Sequence, residues 1–152
     1  RRADFAYSDR PLPVEEVVQR IHALEPENTE PLSVSPLLDW LTDAGLLAWM
    51  PDSRGEYAYL PTQSGGEVGI LVEPGAGAVL YTLSAQHFIM DALDDILDEA
   101  ARQLALRHTP WTPEEDARLA QLRREGQHPE EIAETLERPA SAVRQRLLER
   151  GI

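Results

Sequence analysis

Six polar side chains between residues 123 and 145 have the chemistry that contact with DNA requires. The guanidinium of Arg144 and the amide of Gln145 can form paired hydrogen bonds with the edges of guanine and adenine, and Ser141 can contact a phosphate. The three earlier arginines suit phosphates, and they suit equally well ion pairs with Glu125, Glu134 or Glu137. The predicted DNA-binding residues are Arg123, Arg124, Arg138, Ser141, Arg144 and Gln145.

The charge of the chain sets a condition on this prediction. Residues 110–152 hold seven arginines against nine acidic residues, and the rest of the chain holds seven against eighteen, in a total net charge of −13. Because phosphate contacts dominate affinity for DNA, the late arginines must form one positive strip that neighbouring carboxylates do not neutralise. In that case Arg144→Ala should weaken binding to the preferred site by about 1–3 kcal/mol.

The segment that carries these residues reads as three short helices. Thr112 and Glu115 have the spacing of a capping box at the start of the first helix, and Gly126 ends it. Pro129 begins the second helix, and the third begins at residues 139–140. The predicted common core consists of Trp111, Leu119, Leu122, Ile132, Leu136, Val143 and Leu147. The pattern predicts a trihelical helix-turn-helix.

Residues 111–152 resemble a Myb/SANT-type domain in its compact bacterial variant. The matching elements are W-T-P-E-E-D-x-x-L, then E-I-A-E-x-L-x-R, and then S-A-V-R-Q-R-L. Where a Myb repeat has three spaced tryptophans, this stretch has Trp111 alone. The resemblance implies that the third helix, Ala140–Arg150, lies in the major groove of DNA.

In the first hundred residues the sequence predicts two helices, then a β ribbon, and then a long helix. A polar arm or linker precedes a helix from Pro13 to Leu24, a loop follows at 25–33, and Ser35 caps a second helix that Gly45 ends. The remaining predicted elements are a turn at 52–55, a strand from Tyr57 to Leu60, a helical turn or loop at 62–67, a hairpin of Ile70–Val72 with Val79–Tyr81, and a long helix Ser84–Arg107.

This order resembles the winged helix of the RecQ C-terminal (RQC) region. The resemblance covers about Pro13–Arg107, through L-x-x-W-L-x-x-x-G-L-L at 37–47 and P-T-x-x-G-x-x-x-G-I at 61–70. An RQC region also has a zinc module with cysteine ligands, which a chain without cysteine lacks. A chain without lysine also lacks a Walker-type phosphate loop, so it contains no helicase motor.

Several other classes of function are not expected. The histidines are isolated, and no arrangement of nucleophile, base and stabiliser is recognisable, so we expect no metal, no cofactor, no small-molecule substrate and no catalysis. No apolar run approaches the roughly 18 residues of a membrane span, and no signal peptide opens the chain, which favours the cytoplasm of a bacterium, at the nucleoid if DNA is bound. Acidic residues crowd the predicted long helix, as a solvated face or as a surface for a basic partner: Asp91, Asp94, Asp95, Asp98 and Glu99.

The sequence thus predicts a mainly α protein with a small β ribbon. An arm or linker (1–12) is followed by a winged-helix-like domain with a long C-terminal helix (13–108) and a three-helix helix-turn-helix domain of Myb/SANT type (109–152). The predicted function is non-catalytic binding of double-stranded DNA in transcription regulation or DNA repair. The alternative is a protein-protein interaction or self-associating module that uses the acidic helical surface. Because the chain begins with Arg1 rather than Met, it can also be a piece of a larger DNA-processing protein.

Overall fold

The computed structural model describes residues 4–24, 32–107 and 109–152, with the exception of the side chain of Arg107. In these residues the chain is mainly helical, with eight helices and two antiparallel sheets of two strands each. It divides into two compact units, which we call unit 1 (Arg1–Ala100) and unit 2 (Ala101–Ile152). The division lies inside a helix and comes earlier than the predicted boundary between residues 108 and 109.

The described part of the predicted N-terminal arm belongs to the core of unit 1, so the prediction of an arm or linker is wrong there. The side chains of Phe5 and Leu12 are buried in that core. Leu12 exchanges two backbone hydrogen bonds with Tyr81, at 3.0 and 2.7 Å. The buried amide of Gln86 accepts a hydrogen bond from the backbone N–H of Ser8 and donates one to its carbonyl. Two apolar side chains and one polar clamp are enough to anchor a segment whose composition resembles a linker.

The first two helices are α1 (Val14–His22) and α2 (Val34–Asp43). Both follow the predicted helical periodicity. Helix α2 begins earlier than predicted, because Ser33 rather than Ser35 occupies the N-cap position, and the Ser33 side chain makes no capping bond. Most of the loop predicted at 25–33 lies outside the described residues. The buried hydrophobic residues of the two helices are Val17, Val18, Ile21, Leu37 and Leu41.

Strands β1 (Leu47–Pro51) and β2 (Tyr57–Pro61) form the first antiparallel ribbon of unit 1. The prediction of a strand at β2 is confirmed, whereas β1 was not predicted. Four successive apolar residues open β1, so its sequence lacks the alternation that marks a half-buried strand. In the turn between them, the Asp52 carboxylate accepts hydrogen bonds from the backbone N–H groups of Arg54 and Glu56, at 2.8 and 3.0 Å.

The second ribbon follows a short helix. Helix α3 (Gln63–Val68) leads into β3 (Ile70–Val72), which pairs with β4 (Val79–Tyr81) in the predicted hairpin. Gly65 of α3 approaches the backbone carbonyl of Leu46 so closely that a Cβ atom would overlap with it. A glycine is therefore required at this position by packing and not by its dihedral angles.

Two helices replace the single long helix that was predicted for Ser84–Arg107. They are α4 (Leu83–Asp91) and α5 (Leu93–Arg107), and Ala92 between them leaves the helical region at φ −100°, ψ 13°. No glycine or proline marks the break, and the apolar spacing continues through it, so local sequence gives no sign of it. The buried residues on the two sides of the break belong to the same core of unit 1: Ile89, Met90, Leu93 and Ile96.

The three helices predicted for unit 2 are confirmed as α6 (Pro113–Arg124), α7 (Pro129–Leu136) and α8 (Ala140–Arg150). The Thr112 hydroxyl accepts a hydrogen bond from the N–H of Glu115, whose carboxylate accepts the N–H of Thr112, as a capping box requires. Helix α7 packs against both of the other helices. Their buried side chains form one separate core, to which Trp111 and Leu136 contribute at the edge: Leu119, Leu122, Ile132, Ala133, Val143 and Leu147.

The length and composition of the helices can be compared with those of a membrane span. Over the described residues, none of them combines the length and the apolar composition that crossing a bilayer requires.

Candidate nucleic-acid interface

The predicted DNA-binding residues all lie in unit 2, on α6, on α8 and in the turn between α7 and α8. This turn is short, spanning residues 137–139, and Glu137 adopts a left-handed conformation in it (φ 55°). A turn of three or four residues between two helices is typical of the helix-turn-helix motif. The question is therefore whether the polar side chains around this turn are available to a ligand.

Arg138 lies inside unit 2, which contradicts its predicted role as a phosphate contact. Only 5% of its side chain is exposed. Its Nε and Nη2 atoms donate to the two carboxylate oxygens of Glu115 at 2.8 and 2.7 Å. The same guanidinium donates to the carbonyls of Thr109 and Pro110 at 2.8 and 3.1 Å, and it lies over the Trp111 ring at 4.7 Å from the centroid. Arg138 therefore ties the α7–α8 turn to the segment that precedes α6.

Glu115 serves two purposes at once in this cluster. It closes the capping box of α6 and forms a bidentate pair with Arg138. The hydrogen bonds from Arg138 hold the pKa of the Glu115 carboxyl below its usual value, against the opposing effect of burial. The sequence indicated Glu125, Glu134 and Glu137 as ion-pair partners for the arginines, and the actual partner of Arg138 was missed. The only sequence signal for it was the capping-box position, which fixes the orientation of the Glu115 side chain.

Arg144 also faces the protein, which contradicts its predicted role in reading a base. Its side chain is 14% exposed, and its Nη1 atom donates to the carboxylate of Glu130 on α7 at 3.2 Å. This contact joins α8 to its neighbour helix α7. An Arg144→Ala variant should therefore leave affinity for DNA unchanged, contrary to the expectation from the sequence.

The outward face of α8 is less polar than predicted. Gln145 is exposed, and its amide donates to the Glu149 carboxylate at 3.3 Å. Ser141 is half-buried. Leu148, three residues after Gln145, is 79% exposed and is the most exposed large apolar residue of the described chain. The helix that was predicted to enter the major groove thus exposes an amide, a leucine and, at its end, Glu149 and Arg150.

A second cluster neutralises the remaining arginines of α8. Arg146 forms two hydrogen bonds with the buried Asp116 of α6, at 2.9 and 2.7 Å, and a third with Glu149 at 3.1 Å. Arg150 lies 3.6 Å from the same Asp116 carboxylate. The hydrogen bonds from Arg146 lower the pKa of Asp116, and the carboxylates around Arg146 raise its own pKa. These residues join the ends of α6 and α8.

Three arginines of α6 remain on the surface of unit 2. Arg118 and Arg124 are exposed and form no ion pair with the described residues, and Arg123 donates to the backbone carbonyl of Gln127 at 3.2 Å. Arg123 and Arg124 are therefore the predicted phosphate contacts that stay accessible. They are not accompanied by the late arginines, since each arginine of α8 faces a carboxylate, and the predicted positive strip does not form.

The described residues also contain no group of three or more His, Asp or Glu side chains that could hold a metal ion. His108 lies outside them.

Comparison with models of known protein families, with curated proteins and with solved structures gives no match for this chain. The resemblances to Myb/SANT and RQC domains therefore stay predictions.

Proposed function

We propose that the chain is a non-catalytic binding protein whose acidic unit 1 receives a basic protein partner. The charges divide unevenly between the units. Unit 1 holds five arginines and eighteen acidic residues, a net of −13, whereas unit 2 holds nine of each and is neutral. Unit 1 therefore attracts cationic surfaces at long range, and this attraction accelerates association with a basic partner.

The observation that carries this proposal is the surface of α5 in unit 1. Asp94, Asp95 and Asp98 are exposed there, and Leu97 among them is 42% exposed. Asp95 and Asp98 have no ion pair with any described residue. An apolar side chain surrounded by carboxylates matches a partner that presents an apolar anchor within a cationic rim.

The arginines of unit 1 do not neutralise this surface. Arg10 and Arg20 both pair with Glu16, at 3.4 and 2.7 Å, and Arg54 pairs with Asp52 and Glu56 in the turn between β1 and β2. The described arginines of unit 1 are therefore paired outside the α5 surface.

The proposal can be tested with an arginine-rich amphipathic peptide and its citrulline counterpart, which keeps the shape and lacks the charge. We expect the arginine peptide alone to bind, with chemical-shift changes at the amides of α5 and with an affinity that falls as salt is added. The variant Asp95→Asn with Asp98→Asn should weaken binding by roughly tenfold, because each exposed ion pair contributes about 0.2–1 kcal/mol.

A matched control removes two exposed carboxylates elsewhere in unit 1, with Asp9→Asn and Glu67→Gln. It changes the net charge equally and leaves α5 intact. Equal losses in the two double variants, or binding of the citrulline peptide, would contradict the assignment of the surface to α5.

A second candidate function is binding of duplex DNA by unit 2, and the helix-turn-helix of α7 and α8 favours it. In this view unit 2 is a Myb/SANT-like domain and unit 1 a winged-helix-like domain, as the sequence resemblance implies. The phosphate contacts come from Arg118, Arg123 and Arg124, and Gln145 is the side chain directed at bases. Few contacts of this kind predict weak binding with a shallow dependence on salt.

A titration of duplex DNA at several salt concentrations distinguishes the two candidates. If unit 2 binds DNA, Arg118→Gln with Arg124→Gln should lower both the affinity and the slope against salt, whereas Arg144→Ala should change neither. Absence of binding at low salt would exclude this second candidate and would leave the first one unaffected.

A further inference from the structure

We draw no further inference here: the strongest candidate, the partly exposed aromatic face of the β1–β2 ribbon on which Trp49 lies across from Tyr59 and beside Tyr57, carries no proposal because nothing in the structure shows what covers it.

Discussion

Replacement of Arg138 provides the sharpest test of the structure of unit 2. Its guanidinium makes four hydrogen bonds, two with the carboxylate of Glu115 and two with the carbonyls of Thr109 and Pro110, and it covers the Trp111 ring. Removing one partner of a buried ion pair costs about 3–5 kcal/mol. Glu115 keeps 23% of its side chain exposed and can recover some hydration, which reduces the loss.

We therefore expect Arg138→Ala to lower the free energy of unfolding of unit 2 by about 2–4 kcal/mol. Native-state hydrogen exchange of the buried Leu119 and Val143 amides measures this change within unit 2 of the intact protein. The control is Arg124→Ala, which removes an exposed arginine without an ion pair to the described residues and should change stability by no more than about 0.5 kcal/mol. Equal effects of the two variants would show that Arg138 lies on the surface, as a phosphate contact would, and would refute its buried contacts with Glu115, Thr109 and Pro110.

Three further outcomes follow from individual backbone and side-chain environments. Gly65→Ala should lower the free energy of unfolding of unit 1 by about 1–3 kcal/mol, because its Cβ would overlap with the carbonyl of Leu46. An unchanged melting temperature would contradict this packing. Glu137→Gly should stabilise unit 2 by about 0.5–1 kcal/mol in chemical denaturation, since a glycine adopts its left-handed conformation without steric cost, whereas destabilisation would indicate a stabilising contact of the glutamate. The pKa values of Glu115 and Asp116 are lowered in the folded protein, so the stability that they contribute is present above their unfolded pKa values and is lost as the pH falls through the lowered ones. Acid titration followed by hydrogen exchange should show this loss starting at about pH 5, and Glu115→Gln should make the dependence less steep.

The sequence allowed local features to be predicted where neighbouring residues decide them. The capping box of Thr112 and Glu115 and the three helices of unit 2 depend on contacts within a few positions, and the hairpin of β3 and β4 depends on a glycine-rich turn. The break at Ala92 was not predictable, because it depends on how α4 and α5 fit one shared core. The partner of Arg138 was not predictable either, since Glu115 lies 23 residues earlier in the chain.

The same limit explains why the sequence predicts a DNA-binding surface on the arginine-rich last helix, whereas the structure pairs each of its arginines with a carboxylate. The spacing of residues predicts the direction in which the Cα–Cβ bond of an arginine leaves the helix. The guanidinium at the end of its long side chain can still turn toward a carboxylate. Arginine is well suited to such pairs because its planar fork matches both carboxylate oxygens, as in the contacts of Arg138 with Glu115 and of Arg146 with Asp116. In a chain with 27 acidic residues against 14 arginines and no lysine, a carboxylate is seldom far from a guanidinium.

The arginines of unit 2 therefore fall into two groups, according to whether the guanidinium pairs with a carboxylate or faces solvent. Those of α8, together with Arg138 in the turn before it, hold the helices of unit 2 together, and their loss should be measured as a change in stability. Those of α6, such as Arg124, face solvent, and their loss should be measured as affinity if unit 2 binds DNA. We expect variants of Arg138 and Arg146 to lose stability and variants of Arg118 and Arg124 to lose affinity for DNA. This division would show that the internal ion pairs, and not the net charge, decide which surfaces of unit 2 remain available to a ligand.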